Sequence, residues 1–393
     1  MAVTTTVLSE AQAASVRKRV HSGTHRACPP EETLARITPV ARHVGITRVA
    51  DVTWLDRIGI PVYQAIRPNA RTLSLSQGKG ITPLLAKVSA MMESIELWHA
   101  EEFRPAAVRR TRLRDMLPTL PYDPYQLALK KRHFLHPGLA LDWVAGTALL
   151  TGETCYVPAA LAVLDFSRQM TLGVPLFELN SNGLASGNTL TEAVLHGLYE
   201  VVERDSLEHW RRAGWPHDRY VRPETVLSPE CETLLSRFAA AGVRPLIYDA
   251  TGPTGVPCFH VAIYSPDLPD IFSGAGCHLD KAVALSRALS EAAQVRLTVV
   301  AGARDDLGDP AYAWVRGLER GTQQEPSLPA GQADFQQIHS GFASDLTTDL
   351  DDLVHRVHRQ TGFSPLAVDL TRADLDIPVA RVLAPGLQDE GAH

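Results

Sequence analysis

Apolar positions follow two different periods along this 393-residue chain. Helical spacing predicts a helix in "EETLARITPVARHVG" and an amphipathic helix in "SDLTTDLDDLVHRVHRQTG". Alternation of apolar and polar residues predicts paired strands in "TRVADVTWLDRIGIPVYQAIRP" and in "ALDWVAGTALLTGETCYVPAALAVLDF". The chain is therefore expected to mix helices and strands in an α/β (α+β) fold.

The second half of the chain continues the same mixture. The run "PETVLSPECETLLSRFAAAGVRPLIYDAT" followed by "VPCFHVAIYSP" predicts a helix and two strands. Near the end, "PLAVDLT" and "PVARVLAP" are two further predicted strands. Prolines punctuate residues 108–138, which are predicted to be irregular.

Domain organisation follows from length and from the segments without periodicity. Residues 1–15 are small and polar, so a flexible N-terminus is expected. The stretch of about 318–342 is predicted to be a loop or variable insert. The remaining chain, 16–393, is expected to form one large domain.

Three segments of the chain resemble one another, and each begins with serine and a glycine-rich turn before an apolar helix. They are "SQGKGITPLLAKVSAMMESIELWHA", "SNGLASGNTLTEAVLHGLYEVVERD" and "SGAGCHLDKAVALSRALSEAAQVRL". Each offers one residue suited to cap its helix: Thr82, Thr189 and Asp280. The repeat predicts three equivalent helices.

Acidic residues recur at fixed distances from these caps. Eleven residues beyond the caps stand Glu93, Glu200 and Glu291, and three residues further stand Glu96, Glu203 and Gln294. Glu192 also lies three residues after its cap, where a capping box would use it. A single Glu-x-x-Glu is usually a solvated helix face. Three copies in one register favour convergence of the acids at one site.

Clustered carboxylates repel one another and resist ionisation unless cations lie between them. Hard carboxylate oxygens suit magnesium, which enzymes usually bind together with phosphates. The glycine-rich turns and helix N-termini offer backbone N–H groups to such phosphates. The pattern thus predicts a site for magnesium and a phosphate-bearing ligand.

Composition and charge remove several classes of function. With 44 acidic and 38 basic residues the net charge is -6, and no run of like charges suggests nucleic acid as a partner. No apolar run is long enough to cross a membrane, and the start lacks the pattern of a signal peptide. The five cysteines are scattered without C-x-x-C. A cytoplasmic protein is expected.

The three acidic segments resemble the motifs of the YcaO family of ATP-dependent peptide-modifying enzymes, and the likeness runs from about residue 16 to the end. The pattern S-x3-E-x2-E-R is met except that Leu97 replaces arginine. N-x3-E-x7-E-x2-E-R is met in full from Asn188 to Arg204. S-x6-E-x2-Q-x-R is met except that Ala284 replaces serine. The resemblance implies a YcaO-type fold in which repeated strand–turn–helix units converge on an ATP site.

The resemblance also implies roles for individual residues, with ATP and Mg2+ as cofactors. The implied metal ligands are Glu93, Glu96, Glu192, Glu200, Glu203 and Glu291. The implied catalytic residues are Glu203, Arg204 and Arg296. Contacts to the nucleotide are expected from Ser76, Lys79, Ser89, Asn188, Arg204, Gln294, Arg296 and Arg26. For Lys79 and Arg26 a plain surface role explains the sequence equally well.

Other charged side chains near the motifs have less specific interpretations. "HSGTHR" adds His21 and His25 in an N-terminal segment that resembles one approaching the nucleotide in relatives. "GARDD", with Arg304 and Asp305, either closes the site or forms a salt-bridged loop.

In the family a nucleophile attacks a backbone carbonyl and ATP phosphorylates the oxyanion. Side-chain nucleophiles give azolines, external sulfide gives a thioamide, and an N-terminal amine gives an amidine ring. "PVARVLAPGLQDEGAH" differs from the proline-rich tail of azoline-forming members. The chain looks most like stand-alone members that work with a TfuA partner, which implies thioamide formation.

Several alternatives remain open at the level of sequence. Azoline and amidine formation are alternatives within the family, and a ligase acting through an acyl phosphate would use a similar cage of carboxylates. A nucleotide-binding scaffold without catalysis is an alternative of another class. The expected partners are a peptide substrate, a TfuA-like or leader-binding protein, and a second copy in a homodimer.

Overall fold

The computed structural model of the protein describes residues 15–166, 176–304 and 333–388. Except for Ser15, the predicted flexible N-terminus lies outside this range. So do residues 318–332 of the predicted insert, and Asp305. The described end of that insert contains a short 3-10 helix, Phe335–Gln337.

Helices and strands alternate along the described chain. The helices are α1 (Pro30–His43), α2 (Pro83–Glu101), α3 (Leu113–Met116), α4 (Leu190–Arg212), α5 (Pro229–Ala240), α6 (Lys281–Ala301) and α7 (Leu346–Thr361). The strands are β1 (Arg48–Asp51), β2 (Val62–Ile66), β3 (Leu75–Lys79), β4 (Arg109–Arg112), β5 (Ala140–Ala148), β6 (Thr154–Pro158), β7 (Leu184–Ser186), β8 (Tyr220–Val221), β9 (Arg244–Asp249), β10 (Cys258–Ser265), β11 (Leu268–Cys277), β12 (Leu366–Asp369) and β13 (Val379–Leu383).

Three antiparallel sheets carry the helices. One has the order β1-β2-β3, the second β11-β10-β9-β8, and the third β4-β5-β12-β13-β7 with β6 paired to β5. Helix α2 packs on the first sheet through Ala90 and Ile95. Helix α4 packs on β13 and β7, and α6 packs on β11 and β10. Each sheet thus supports one of the three predicted helices.

The predicted elements agree with the structure for α1, α5, α7 and most strands. The stretch 108–138 differs, because it was predicted to be irregular and yet contains β4 and α3. Arg109–Arg112 pairs with Ala140–Trp143 of β5. This strand is arginine-rich and solvent-exposed because it forms an edge, so it lacks the apolar alternation that marks a half-buried strand.

Glycines set how closely each helix lies on its strand. A Cβ on Gly78 of β3 would come within 2.0 Å of Ala90 N in α2, and one on Gly276 of β11 within 2.1 Å of Ala284 O in α6. No side chain fits between these backbones, so only glycine permits the approach. Strand and helix are therefore packed backbone to backbone in both units.

Candidate active site

The three strand–turn–helix units meet around one cavity of about 440 Å3. The predicted acids all line it: Glu93, Glu96, Glu192, Glu200, Glu203 and Glu291. Six other predicted residues line it as well: Arg26, Lys79, Ser89, Asn188, Arg204 and Gln294. The structure therefore brings together the acids that the repeat placed at equal depth on three helices.

The three helix caps hold this register. The side chains of Thr82, Thr189 and Asp280 accept hydrogen bonds from backbone N–H groups two or three residues further on. Because each acid is a fixed number of residues from its cap, the caps fix the depth of the acids in the cavity.

Glu192 has a further role beyond the first turn of α4. Its carboxylate accepts hydrogen bonds from Asn188 Nδ2 at 3.0 Å and from Ala27 N at 2.8 Å, and Arg26 Nη1 lies 3.4 Å away. This carboxylate thus joins the N-terminal segment to the cavity wall.

Each unit contacts the next through a glutamate of its helix, so the three units form a closed ring. Glu96 of α2 accepts a hydrogen bond from Ser186 N at the end of β7 at 2.8 Å. Glu203 of α4 accepts one from Cys277 N at the end of β11 at 3.0 Å. Glu291 of α6 closes the ring through Lys79 at the end of β3, at 2.7 Å.

Carboxylates on the α2 and α4 sides of the cavity resist ionisation. Burial raises the pKa of Glu93 to about 7, although Lys79 and Arg304 act against it. Burial likewise raises the pKa of Glu200 to about 7, with Arg204 opposing. The pKa of Glu96 lies well above its ordinary value because of burial and of its neighbours Glu200 and Glu93. These carboxylates lie where a cation would gain most from binding.

Glu291 on the α6 side behaves in the opposite way. Burial alone would raise its pKa, but Lys79 and Arg204 outweigh burial and hold the pKa below its ordinary value. The carboxylate is therefore ionised and already paired with a cation. Glu203, between the two sides, has a pKa raised by burial in spite of Arg204.

The donor set of the cavity fits magnesium and a polyphosphate. Carboxylate oxygens are the ligands that magnesium prefers, and two here, those of Glu93 and Glu200, are partly buried and have raised pKa values. Gln294 Oε1 is buried and no described residue donates a hydrogen bond to it. In the described ranges, no three His, Cys, Asp or Glu side chains already stand close enough to hold a metal ion. Instead, Lys79, Arg26 and Arg204 lie beside Glu291, Glu192 and Glu200 respectively.

Arg296 is placed differently from the sequence-based expectation of a catalytic and nucleotide contact. The residue is 2% exposed and does not line the cavity, and its guanidinium donates hydrogen bonds to Asp56 at 2.9 Å and Ser265 at 2.7 Å. It also pairs with Asp267 at 3.2 Å. The correction has a simple cause: position 296 lies beyond Gln294 on the helix, and successive residues of a helix face in different directions.

Ser76 is a second correction. It is 1% exposed within β3 and does not line the cavity, whereas Gln77 and Lys79 do. Side chains alternate along a strand, so neighbours in sequence point to opposite faces. His25 is also buried away from the cavity, with its Nε2 at 3.5 Å from Asp280.

His196 and Arg287 are among the cavity residues that the sequence analysis missed, and Arg304 was left open. All three line the cavity. His196 lies four residues after Glu192 and four before Glu200, and Arg287 lies four before Glu291. This spacing puts each on the same helix face as the acids, which was the available signal.

Comparison with known families and relatives agrees with the geometry. A family model described as YcaO cyclodehydratase, ATP- and Mg2+-binding, matches residues 77–388. The uncharacterised protein Rv1375 of Mycobacterium tuberculosis is 38% identical over 97% of this chain and 86% of its own length. A protein of Rhizobium leguminosarum bv. trifolii, described as lying in the tfuA 3' region, is 34% identical over 92% of this chain and 88% of its own.

Two solved structures share the fold. YcaO from Methanopyrus kandleri, bound with AMPPCP and Mg2+, has a TM-score of 0.69 and 25% identity and covers 95% of both chains. A heterocyclase in complex with substrate and cofactor has a TM-score of 0.76 and 22% identity. That match covers 96% of this chain and 54% of the heterocyclase, so this chain spans about half of it.

These findings confirm the predicted fold class and the predicted cofactors, ATP and Mg2+. A search of the helices in the described segments finds none with the length and apolar character needed to traverse a bilayer. The predicted homodimer and the roles of individual residues stay predictions.

Proposed function

Because the chain belongs to the YcaO family, we propose that it uses ATP and Mg2+ to phosphorylate the oxygen of a backbone amide in a ribosomally made peptide. External sulfide attacks the carbonyl carbon, ATP transfers its terminal phosphoryl group to the resulting oxyanion, and ADP departs. The C–O bond then breaks and inorganic phosphate leaves with the former amide oxygen. Sulfide has lost its protons and remains as the sulfur of a thioamide.

One observation carries this proposal. Three helices, each packed on a different sheet, place six glutamate side chains along one cavity. Burial raises the pKa of two of them, Glu93 and Glu200, to about 7. Such a cluster destabilises the protein unless a cation binds it, because buried like charges repel. An acidic cluster of this kind is therefore interpreted as a cation-binding site, and phosphoryl transfer requires bound cations.

Each part of the cavity has a distinct task in this scheme. When bound, Mg2+ would neutralise charge on the polyphosphate during transfer. Lys79 and Arg204 flank the acids and offer positive charge to phosphoryl oxygens. Asn188 is held by Thr33 at 2.8 Å and orients Glu192. The chain thus positions the reacting groups and stabilises their charge, and these two effects account for most of the catalysis of phosphoryl transfer.

The choice of thioamide formation is supported by the tfuA-region relative, which aligns with 92% of this chain. A TfuA-like protein is accordingly the proposed partner. Azoline formation is the second candidate, because the matching family is described as a cyclodehydratase. The two reactions share the phosphorylation step and differ only in the nucleophile.

The test is co-expression of the chain with a TfuA-like protein and with short peptides encoded beside its gene, followed by high-resolution mass spectrometry. A peptide that gains the mass difference between sulfur and oxygen supports thioamide formation. A peptide that loses one water supports the azoline instead. ATP binding without any modified peptide, and without ADP formation in vitro, would favour a scaffold. The inactive control is Glu203→Gln.

A further inference from the structure

His196 lies in the middle of the cavity wall formed by α4, between two arginines from different parts of the chain. Its Nδ1 is 2.9 Å from Nη1 of Arg26 in the N-terminal segment. Its Nε2 is 3.1 Å from Nη1 of Arg287 on α6. One imidazole therefore bridges two guanidinium groups.

The residues that the structure describes do not satisfy all the hydrogen-bonding groups of this bridge. Arginine only donates, and a neutral imidazole has one accepting nitrogen and one N–H. Only one of the two arginines can therefore donate to His196 at a time. Protonation of the ring would remove the remaining acceptor, so it offers no solution. One guanidinium in the cavity needs another acceptor.

Arg287 is the arginine with the greater need. Arg26 also faces Glu192 at 3.4 Å, whereas within the described chain no carboxylate oxygen lies within 4.0 Å of Arg287. Nε of Arg287 is buried and has no hydrogen-bond partner among the residues that the structure describes. Arg287 lines the cavity. A guanidinium at a cavity wall suits a planar or tetrahedral oxyanion, which it can bind through charge-assisted hydrogen bonds.

We propose that His196 is a positioning residue that holds Arg26 and Arg287 as a paired clamp for a phosphate oxyanion, with Arg287 as the arginine that binds it. The inference rests on the proposed ATP-dependent function and adds His196 and Arg287, two positions that the motif patterns leave unspecified. The oxyanion belongs either to the bound nucleotide or to the phosphate released by the reaction. Both sources present the same phosphoryl oxygens.

Three substitutions of His196 separate the two contacts. Gln places its amide near the position of Nε2 and can still accept from Arg287, whereas Asn places its amide near Nδ1 and can still accept only from Arg26. Leu removes both contacts. Arg287→Gln removes the proposed binding group itself. His355→Leu, at an exposed position on α7, is the matched control.

The measurements are Kd values for AMPPCP with Mg2+, for ADP with Mg2+ and for inorganic phosphate, together with the melting temperature of each variant. Arg287→Gln should weaken binding of the clamped ligand about tenfold to a hundredfold, as expected for hydrogen bonds to a charged group. Leu and Asn at position 196 should weaken it about fivefold or more, and Gln should restore most of the loss. Melting temperatures should stay within about one degree.

The three ligands identify the source of the oxyanion. A loss confined to AMPPCP assigns the clamp to the terminal phosphate, an equal loss for AMPPCP and ADP to an inner phosphate, and a loss for inorganic phosphate alone to the product. Arg287→Gln and His196→Leu should be non-additive if His196 acts through Arg287. Unchanged Kd values for all three ligands in His196→Leu would overturn the proposal. Wild-type protein that binds phosphate through this clamp but no nucleotide would instead contradict the proposed function.

Discussion

The three contacts that close the ring of repeated units are not alike. In the first two, a glutamate fourteen residues beyond its cap accepts a hydrogen bond from a backbone N–H three residues before the next cap. In the third, Gln294 occupies the position of that glutamate, and its Oε1 has no hydrogen-bond partner in the described part of the chain. Glu291, one turn earlier, bonds the side chain of Lys79 instead.

This difference teaches that charge is balanced locally on one side of the cavity only. At the third contact a lysine lowers the pKa of Glu291, while on the other side burial raises the pKa of Glu93 and Glu200 to about 7. A backbone N–H orients a carboxylate but brings no full charge to compensate it. In the third contact the charge of the glutamate is therefore compensated by lysine, whereas the glutamates of the first two contacts need a bound cation.

The largest effect on nucleotide binding is expected when only the negative charge of Glu203, in the second contact, is removed. Glu203→Gln keeps an oxygen that accepts from Cys277 N but removes a carboxylate from the cavity. Affinity for AMPPCP with Mg2+ should fall by roughly a hundredfold or more, since even residues that only support metal ligands change affinity by about ten- to a hundredfold. Calorimetric titration measures this, with circular dichroism as the check on the fold. A variant that binds as tightly as wild type would remove Glu203 from the site.

The second largest effect is expected in the pH dependence of affinity for the magnesium nucleotide, which should reflect the raised pKa values on the α2 and α4 sides of the cavity. Glu93 and Glu200 have pKa values of about 7 in the folded protein, above the ordinary 4.5, so binding a cation must displace their protons. Affinity for the magnesium nucleotide should fall by about tenfold per pH unit for each proton displaced as the pH drops below 7. Titrations between pH 8 and pH 5.5 measure the slope. Glu200→Gln should make the slope shallower, and an unchanged slope would contradict the assignment.

Stability of the ligand-free protein should move in opposite directions on the two sides. A raised carboxyl pKa favours the folded state below about 4.5 and loses that benefit as the pH rises to 7, so Glu200→Gln should stabilise the protein at pH 8 but not at pH 4.5. Glu291→Gln should destabilise it at pH 8, because Lys79 loses its partner. Each change should be about 1 kcal/mol, or roughly one to two degrees of melting temperature. If both variants change the melting temperature in the same direction at pH 8, the two sides of the cavity do not differ in charge balance.

The smallest effect on binding is expected at Arg296, outside the ring. Arg296→Lys keeps the charge but loses part of the bonding to Asp56 and Asp267. We expect Kd for AMPPCP with Mg2+ to stay within about twofold, while the melting temperature falls. A tenfold loss of affinity without loss of stability would restore Arg296 to the nucleotide site.

Much of the site could be predicted because register along a helix is local. The caps and the spacing of eleven and fourteen residues place Glu93, Glu200 and Glu291 at one depth without any knowledge of the sheets. The three caps and the convergence of the acids both follow from such spacing. The strand–turn–helix unit is short enough for its sequence to specify it.

The residues that escaped prediction depend on contacts between distant segments. Arg296 faces Asp56, 240 positions earlier, and nothing near either residue indicates the pairing. His196 gains significance only because Arg26 and Arg287 approach it from two sides. The edge strand β4 is defined by its partner β5 rather than by its own pattern. Long-range pairing of this kind leaves no period in the sequence.

The close approach of Gly78 and Gly276 to their helices has a consequence for how such a site tolerates change. Because the backbones of strand and helix are in direct contact there, the distance of the α2 and α6 glutamates from their strands does not depend on the residues on the outer faces of these helices. Surface residues of α2 and α6 can therefore vary while the acids keep their positions relative to one another. Alanine in place of either glycine would push the helix away from its strand and so displace the carboxylates of that helix, which substitutions on the helix surface would not do.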